Sequence, residues 1–177
     1  MLISTVVISE VGGFLRGLNA IVTGSSRGIG RAIALALADR GVNVTINYVR
    51  NREAAVKTFE EVRSRGVKAL LVKADVSVYS EAKKLCDETF RAFGSIDILV
   101  NNAGILPKHF KILEISEEEW DRIIAVNLKG VFNVTREAVK YMLEKRFGRI
   151  INISSIAGKE GGTVGVAYAA SKAGVIG

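Results

Sequence analysis

Short apolar runs suited to strands alternate with amphipathic helical stretches along most of the chain, and this alternation restricts the fold more than any other feature. Ala20-Ile21-Val22 is followed by helical spacing over residues 29–40, with Ile33 and Leu37 on one face. Gly41 closes that helix, and residues 42–46 read as the next strand. A charged, amphipathic stretch over 52–64 leads through Gly66 to an apolar run at 67–72. Residues 80–93 are helical and end at Gly94, and 96–100 follow as a strand. Ser116 and Glu119 form a capping box that opens a helix through Trp120 and Val126. The helical region continues to about Lys145 with a bend near Gly130. Gly148 ends it, 149–153 is a fifth strand, and a last helix begins near Tyr168. Nearly continuous apolar strands joined by helices imply a parallel sheet covered on both faces. Right-handed crossovers then favour an α/β, doubly wound sheet of order 3-2-1-4-5.

The chain of 177 residues fits one domain, with 49% apolar and 24% charged residues, an ordinary globular composition. Residues 1–17 read as an N-terminal extension and 18–177 as the folded domain. The apolar run from Val6 to Ile8, with Leu2 and Ile3 before it, is too short to span a bilayer and lacks the flanks of a signal peptide. The single cysteine, Cys86, excludes an intrachain disulfide, and a cytoplasmic setting is expected. Its neighbours Ala82, Leu85 and Phe90 place it on the inner face of a helix. The formal charge of +7 favours anionic partners, but no basic run with interleaved aromatics supports nucleic acid. His109 is the only histidine, and the carboxylates lack metal-ligand spacing, so no metal site is expected. Three Asn-x-Ser/Thr tripeptides, at Asn43, Asn133 and Asn152, are set aside as glycosylation sites because two lie in expected core strands.

After the first strand the chain reads Thr23-Gly24-Ser25-Ser26-Arg27-Gly28-Ile29-Gly30. Gly24 permits a tight turn, Gly28 lets the backbone approach a pyrophosphate, and Gly30 allows close packing of the following helix. That helix presents its N-terminus, worth about half a positive charge, to the phosphates. The spacing is neither G-x-G-x-x-G nor that of a P-loop. Asp75-Val76 follows the third strand and Asn101-Asn102-Ala103-Gly104 the fourth, at the strand ends where such sheets bind ligands. At the end of strand two, Asn47, Tyr48 and Arg50 precede the first carboxylate, Glu53. Arg27 and Arg50 suit a 2′-phosphate, which an acidic residue there would repel. The reading favours NADP(H) over NAD(H).

Tyr168 and Lys172 are four residues apart, hence on one helix face. A free phenol, with a pKa of about 10, is a poor base at neutral pH, and a neighbouring ammonium favours its ionised form. Such a tyrosine passes a proton to a carbonyl oxygen or takes one from an alcohol.

Taken together, Thr23-Gly24 with Gly28 and Gly30, Asp75, the Asn-Asn-Ala-Gly segment, Asn127, Ser155, Tyr168 and Lys172 resemble the short-chain dehydrogenase/reductase family, from about Leu18 to Gly177. The resemblance implies a catalytic set of Asn127, Ser155, Tyr168 and Lys172. In it Ser155, selected over Ser154 by its separation from Tyr168, orients the substrate oxygen, and Asn127 anchors a water that relays protons to the lysine. It implies a cofactor site of Gly24, Ser26, Arg27, Gly28, Ile29, Gly30, Asn47, Tyr48, Arg50, Asp75, Val76, Asn102, Ala103 and Gly104, shared with Tyr168 and Lys172. Asp75 would contact the adenine, and Asn102 with its neighbours would line the cleft.

Within the family the chain is most similar to the branch that reduces 3-oxoacyl groups on acyl carrier protein. The similarity lies in the Ser-Arg-Gly-Ile-Gly turn, Asn47-Tyr48 and Tyr168-Ala169-Ala170-Ser171-Lys172-Ala173-Gly174. Arg146 falls where that branch engages its acidic carrier. The implied partners are a carbonyl or acyl-thioester substrate, acyl carrier protein, and further copies of the chain in a dimer or tetramer. A sugar dehydrogenase such as glucose 1-dehydrogenase and a non-catalytic nucleotide-binding module are the alternatives. Family members continue past the equivalent of Gly177, so the last strands and most of the substrate pocket are expected to be missing, and little turnover is expected from this chain alone.

Overall fold

The computed structural model describes residues 13–161 and 164–177. The apolar run at 6–8 and most of the expected extension lie outside the described residues. A five-stranded, all-parallel sheet of order 3-2-1-4-5 forms the centre. Its strands are β1 (Asn19–Val22), β2 (Asn43–Tyr48), β3 (Ala69–Lys73), β4 (Ile98–Asn101) and β5 (Arg149–Asn152). The helices are α1 (Gly28–Ala38), α2 (Arg52–Arg63), α3 (Tyr79–Phe93), α4 (Glu117–Ile124), α5 (Gly130–Lys145), α6 (Ala157–Glu160) and α7 (Val166–Ile176).

Alternation along the strands sorts the core into two layers. Ala20, Val22, Ile98 and Val100 face one way and pack with Ala34, Ala38, Ala55 and Val62 of α1 and α2. Ile21 and Leu99 face the other way and pack with Leu85, Cys86, Val134 and Ala138 of α3 and α5. Cys86 is fully buried, on the inner face expected for it. Leu15 packs against the first layer and the Gly17 N–H donates to the Gly41 carbonyl, so the chain already lies on the domain before Leu18.

Three differences from the sequence reading have physical causes. The bend near Gly130 is a π-helical turn, Ala125–Lys129, inserted between α4 and α5. Gly130 follows it because a Cβ there would stand 2.7 Å from Val76 Cγ2. The capping box is only half formed. Ser116 accepts from the Glu119 N–H at 3.2 Å, but the Glu119 carboxylate turns away to accept from the Lys108 and His109 N–H groups and to meet His109 Nδ1 at 2.7 Å. The four-residue α6 breaks the chain between β5 and α7, where no helix was expected. Coverage on both faces holds for β1 and β4, whereas all four residues of the edge strand β5 are exposed.

Candidate active site

The turn from β1 into α1 has the shape of an anion cradle. Gly24 and Gly28 take left-handed backbone, φ +63° and +58°. Gly24 lies against Ala103, whose Cα would be 3.0 Å from a Cβ at position 24, while beside Gly28 nothing lies within 4 Å. Gly30 draws the first turn of α1 onto the turn itself, with the Gly24 carbonyl 2.7 Å from where a Cβ would be. Asn51 caps α2 and Ser116 caps α4 with side-chain oxygens, but Arg27 at the N-cap of α1 gives no such bond. The first N–H groups of α1 therefore remain for a ligand, at the end of the helix that attracts negative charge. This open glycine cradle fits the pyrophosphate of a dinucleotide.

Around it the expected residues divide. Arg27, Gly28, Ile29 and Arg50 are exposed, and Ser26 is half-buried with its carbonyl accepting from Thr58 Oγ1 at 3.1 Å. Three carboxylates near them in sequence have cationic partners of their own: Glu53 pairs with Lys57, Glu61 with Arg31 and Asp39 with Arg65. Asn47 is 1% exposed, and its amide is spent on the protein. Its Oδ1 accepts from the Gly24 N–H at 3.0 Å, and its Nδ2 donates to the Ala74 carbonyl at 2.9 Å. Tyr48 is buried in the first core layer. Asn47 thus holds the turn from beneath, and Tyr48 packs in the core below it.

The Asn-Asn-Ala-Gly segment is bonded to the same turn. The hydroxyl of Thr23 accepts from the N–H groups of Asn102 and Ala103 at 2.9 and 3.0 Å, and Asn102 Nδ2 donates to the Thr23 carbonyl at 2.8 Å. Sequence reasoning took Thr23 as part of the turn pattern but gave it no role; its only signal was its place before Gly24. Asp75, after β3, has both oxygens engaged, Oδ1 by Ser77 and Oδ2 by Arg122 at 2.8 Å. Burial opposes its ionisation, but those hydrogen bonds outweigh it and hold the carboxyl below the usual carboxylate range. The Val76 carbonyl accepts from Asn133 Nδ2 at 2.9 Å.

At the β5 side, α7 brings the remaining groups together. Lys172 is 5% exposed, its Nζ donating to the Ile153 carbonyl at 2.7 Å and lying 5.8 Å from the centre of the Tyr168 ring. Burial lowers its pKa. Asn127, in the π-helical turn, is fully buried. It accepts from the Ile105 N–H at 2.8 Å and donates to the Ile105 carbonyl and to Ser171 Oγ at 3.0 and 3.1 Å. A Cβ at Gly104 would stand 3.4 Å from Asn127 Oδ1 and 3.7 Å from Lys172 Nζ, so these groups converge at the carboxyl ends of β4 and β5. Close packing of α6 on α7 depends on Gly158, where a Cβ would meet the Lys172 carbonyl carbon at 2.6 Å. The two candidate serines have different partners. Ser154 Oγ donates to the Lys172 carbonyl at 2.8 Å, whereas Ser155 Oγ accepts from the Ala157 N–H at 3.2 Å and keeps its own proton to donate.

Arg146 is not brought to this site. It ends α5 in left-handed backbone, φ +52°, ahead of β5, so it lies at the opposite end of the sheet from Ser155. Among the described residues there is no cluster of three or more His, Cys, Asp or Glu able to hold a metal ion, and no helix is long and apolar enough to cross a membrane.

A strand-end crevice with an uncapped glycine turn at one side and a buried lysine beside a tyrosine at the other defines a class of nucleotide-dependent oxidoreductase. The family model described as short chain dehydrogenase matches residues 18–177, and the chain belongs to that family. It is 46% identical over 159 residues, 90% of its length, to the 3-oxoacyl-[acyl-carrier-protein] reductase FabG of Staphylococcus aureus. It is 45% identical over 158 residues to the 3-oxoacyl-[acyl-carrier-protein] reductase of a Synechocystis species. In both cases it spans 64% of the relative's length. Among solved structures, NAD+-bound xylitol dehydrogenase superposes with a TM-score of 0.88 at 33% identity, covering 92% of this chain and 62% of that one. A putative short-chain alcohol dehydrogenase from Sinorhizobium meliloti gives 0.86 at 34% identity, covering 91% and 63%.

Proposed function

We propose that this chain is the cofactor-binding and proton-transferring part of an NADP(H)-dependent reductase acting on 3-oxoacyl thioesters carried by acyl carrier protein. The observation that carries the reading is the buried Lys172 ammonium set against the Tyr168 ring, beside Asn127 and Gly104, at the strand ends shared with the glycine turn. When bound, the nicotinamide would supply or accept the hydride.

The protein's own residues would handle the proton and the geometry. The Ser155 hydroxyl donates to the substrate's carbonyl oxygen and orients it. Tyr168 gives that oxygen a proton as the alcohol forms, or removes one in the reverse direction. Lys172, held at the Ile153 carbonyl, keeps a positive charge beside the phenol. Asn127 fixes the backbone at Ile105 and the α7 residue Ser171, and so sets the distance between the two sides of the crevice. Gly24, Gly28 and Gly30 with the N-terminus of α1 take the pyrophosphate, and Arg27 and Arg50 take the 2′-phosphate. Asp75, Val76, Asn102 and Ala103 line the remaining strand ends.

Similarity to the two acyl-carrier-protein reductases, over 64% of their length, supports the substrate class. The likeness to an NAD+-bound xylitol dehydrogenase favours a second reading, oxidation of a polyol or sugar. Two initial rates on the chain distinguish them: NADPH oxidation with an acetoacetyl thioester, and NAD+ reduction with xylitol or glucose. The proposal predicts that any turnover appears in the first assay and that Tyr168→Phe abolishes it. Turnover confined to the second would replace the proposal.

A further inference from the structure

Behind Asp75, the structure holds a closed ring of hydrogen bonds that no step above requires. Arg122, on α4, donates from Nη2 to Asp75 Oδ2 and from Nη1 to Ser77 Oγ, both at 2.8 Å. Ser77 in turn donates to Asp75 Oδ1 from its hydroxyl at 2.6 Å and from its N–H at 3.0 Å. The guanidinium fork therefore grips the carboxylate and the residue that orients it, a planar two-point geometry that lysine does not reproduce.

The place of this ring gives it a use. The pyrophosphate cradle lies at β1, and Tyr168 and Lys172 lie beyond β4 and β5, so the adenosine half of a bound dinucleotide extends toward β2 and β3. Asp75 stands two residues past the end of β3, with its side chain 18% exposed. A second carboxylate, Glu81, accepts from the Asp75 N–H at 2.6 Å. The Asp75 carboxylate would thus face a ligand that carries several phosphate charges, with Glu81 adding negative charge close by, and Arg122 is the cation paired with Asp75.

We propose that Arg122 is a positioning residue for the cofactor. It neutralises and orients the Asp75 carboxylate so that the open lone pair of Oδ2 can accept from the exocyclic amine of the adenine without repelling the phosphates. Oδ1, with two donors, is already filled, while Oδ2 has one. The inference rests on the dinucleotide reading above.

Calorimetric titration with adenosine 2′,5′-bisphosphate tests it on the wild type, Arg122→Gln, Arg122→Lys, Asp75→Asn and the Arg122→Gln/Asp75→Asn double variant. Arg122→Gln is expected to bind at least fivefold more weakly, Arg122→Lys two- to threefold, and Asp75→Asn also more weakly. The double variant is expected to bind better than Arg122→Gln, because the exposed carboxylate is then gone. Melting curves of the unliganded chains separate a loss of binding from a loss of folding, and the loss of folding should be small because Arg122 is 42% exposed and solvent screens its side of the pair. If Asp75→Asn weakens binding and Arg122→Gln does not, the inference fails and the dinucleotide reading stands. A double variant no better than Arg122→Gln also overturns it. If the wild type does not bind the bisphosphate, the dinucleotide reading itself fails and the inference falls with it. Should Arg122→Gln not fold, wild-type affinity in Arg122→Lys would decide against the proposal.

Discussion

The Lys172 ammonium donates to the Ile153 carbonyl at 2.7 Å while standing 5.8 Å from the centre of the Tyr168 ring, so one buried cation joins α7 to the end of β5. Burial lowers its pKa below the ordinary lysine value. The unfolded chain then binds more protons than the folded one between those two values, and stability from this group rises with pH through that window. The charge costs stability at neutral pH, and the cost is relieved as the pH climbs toward the ordinary lysine value. Urea midpoints of the wild type and Lys172→Met at about pH 7 and about pH 10 check the sign. The wild type should gain on the variant between the two conditions, and parallel shifts would count against it.

Asn127 makes three hydrogen bonds from a fully buried position, so its loss orphans the groups paired with it. Asn127→Ala leaves the Ile105 N–H and carbonyl unpaired and should cost about 2–4 kcal/mol. Chemical denaturation would read this directly. A variant within a few tenths of a kcal/mol of wild type would mean that the π-helical turn relaxes around the gap.

Gly28 and Gly30 should fail in different ways. Gly28→Ala meets no atom within 4 Å but keeps φ +58°, so it costs about 1–2 kcal/mol in backbone strain. Its methyl projects into the cradle, and cofactor binding should fall at least tenfold in a folded protein. Gly30→Ala drives a methyl to 2.7 Å from the Gly24 carbonyl and should cost about 1–3 kcal/mol of stability as well as binding. Melting curves together with a binding isotherm separate the two. A larger stability loss for Gly28→Ala than for Gly30→Ala would contradict the difference in their surroundings.

Cys86 should behave as core. Burial pushes its thiol up to about 12, with Glu137 and Asp87 adding to the effect. A thiol reagent at about pH 8 should label it only as fast as the protein unfolds. Fast labelling of the folded chain would show that the α3–α5 layer opens.

The strand order and most elements were legible because alternation and glycine punctuation survive in a single sequence. β3 and β4 begin two residues later than the apolar runs suggest, since Val67 and Ile96 pack as apolar residues without joining the ladder. Hydrogen-bond partners were not legible. Glu119 has the spacing of a capping box, yet loop N–H groups from 108 and 109 compete for its carboxylate and win. Asn47 has the character of a ligand contact, but its position in a central strand spends its amide on the turn. Arg122, 47 residues from Asp75 in sequence, leaves no local pattern at all. Ser155 and Tyr168 were singled out by their spacing. Why Ser155 and not Ser154 has a physical basis only in the structure, where Ser154 is already committed to the Lys172 carbonyl.

Calorimetric titration of the chain with NADPH and with NADH tests the central claim, that the crevice above β1 and β4 holds a phosphorylated dinucleotide. The account predicts saturable one-to-one binding of NADPH, at least tenfold tighter than NADH, with the difference removed in Arg27→Ala/Arg50→Ala. No binding, or equal affinity for the two cofactors in the wild type, would contradict it.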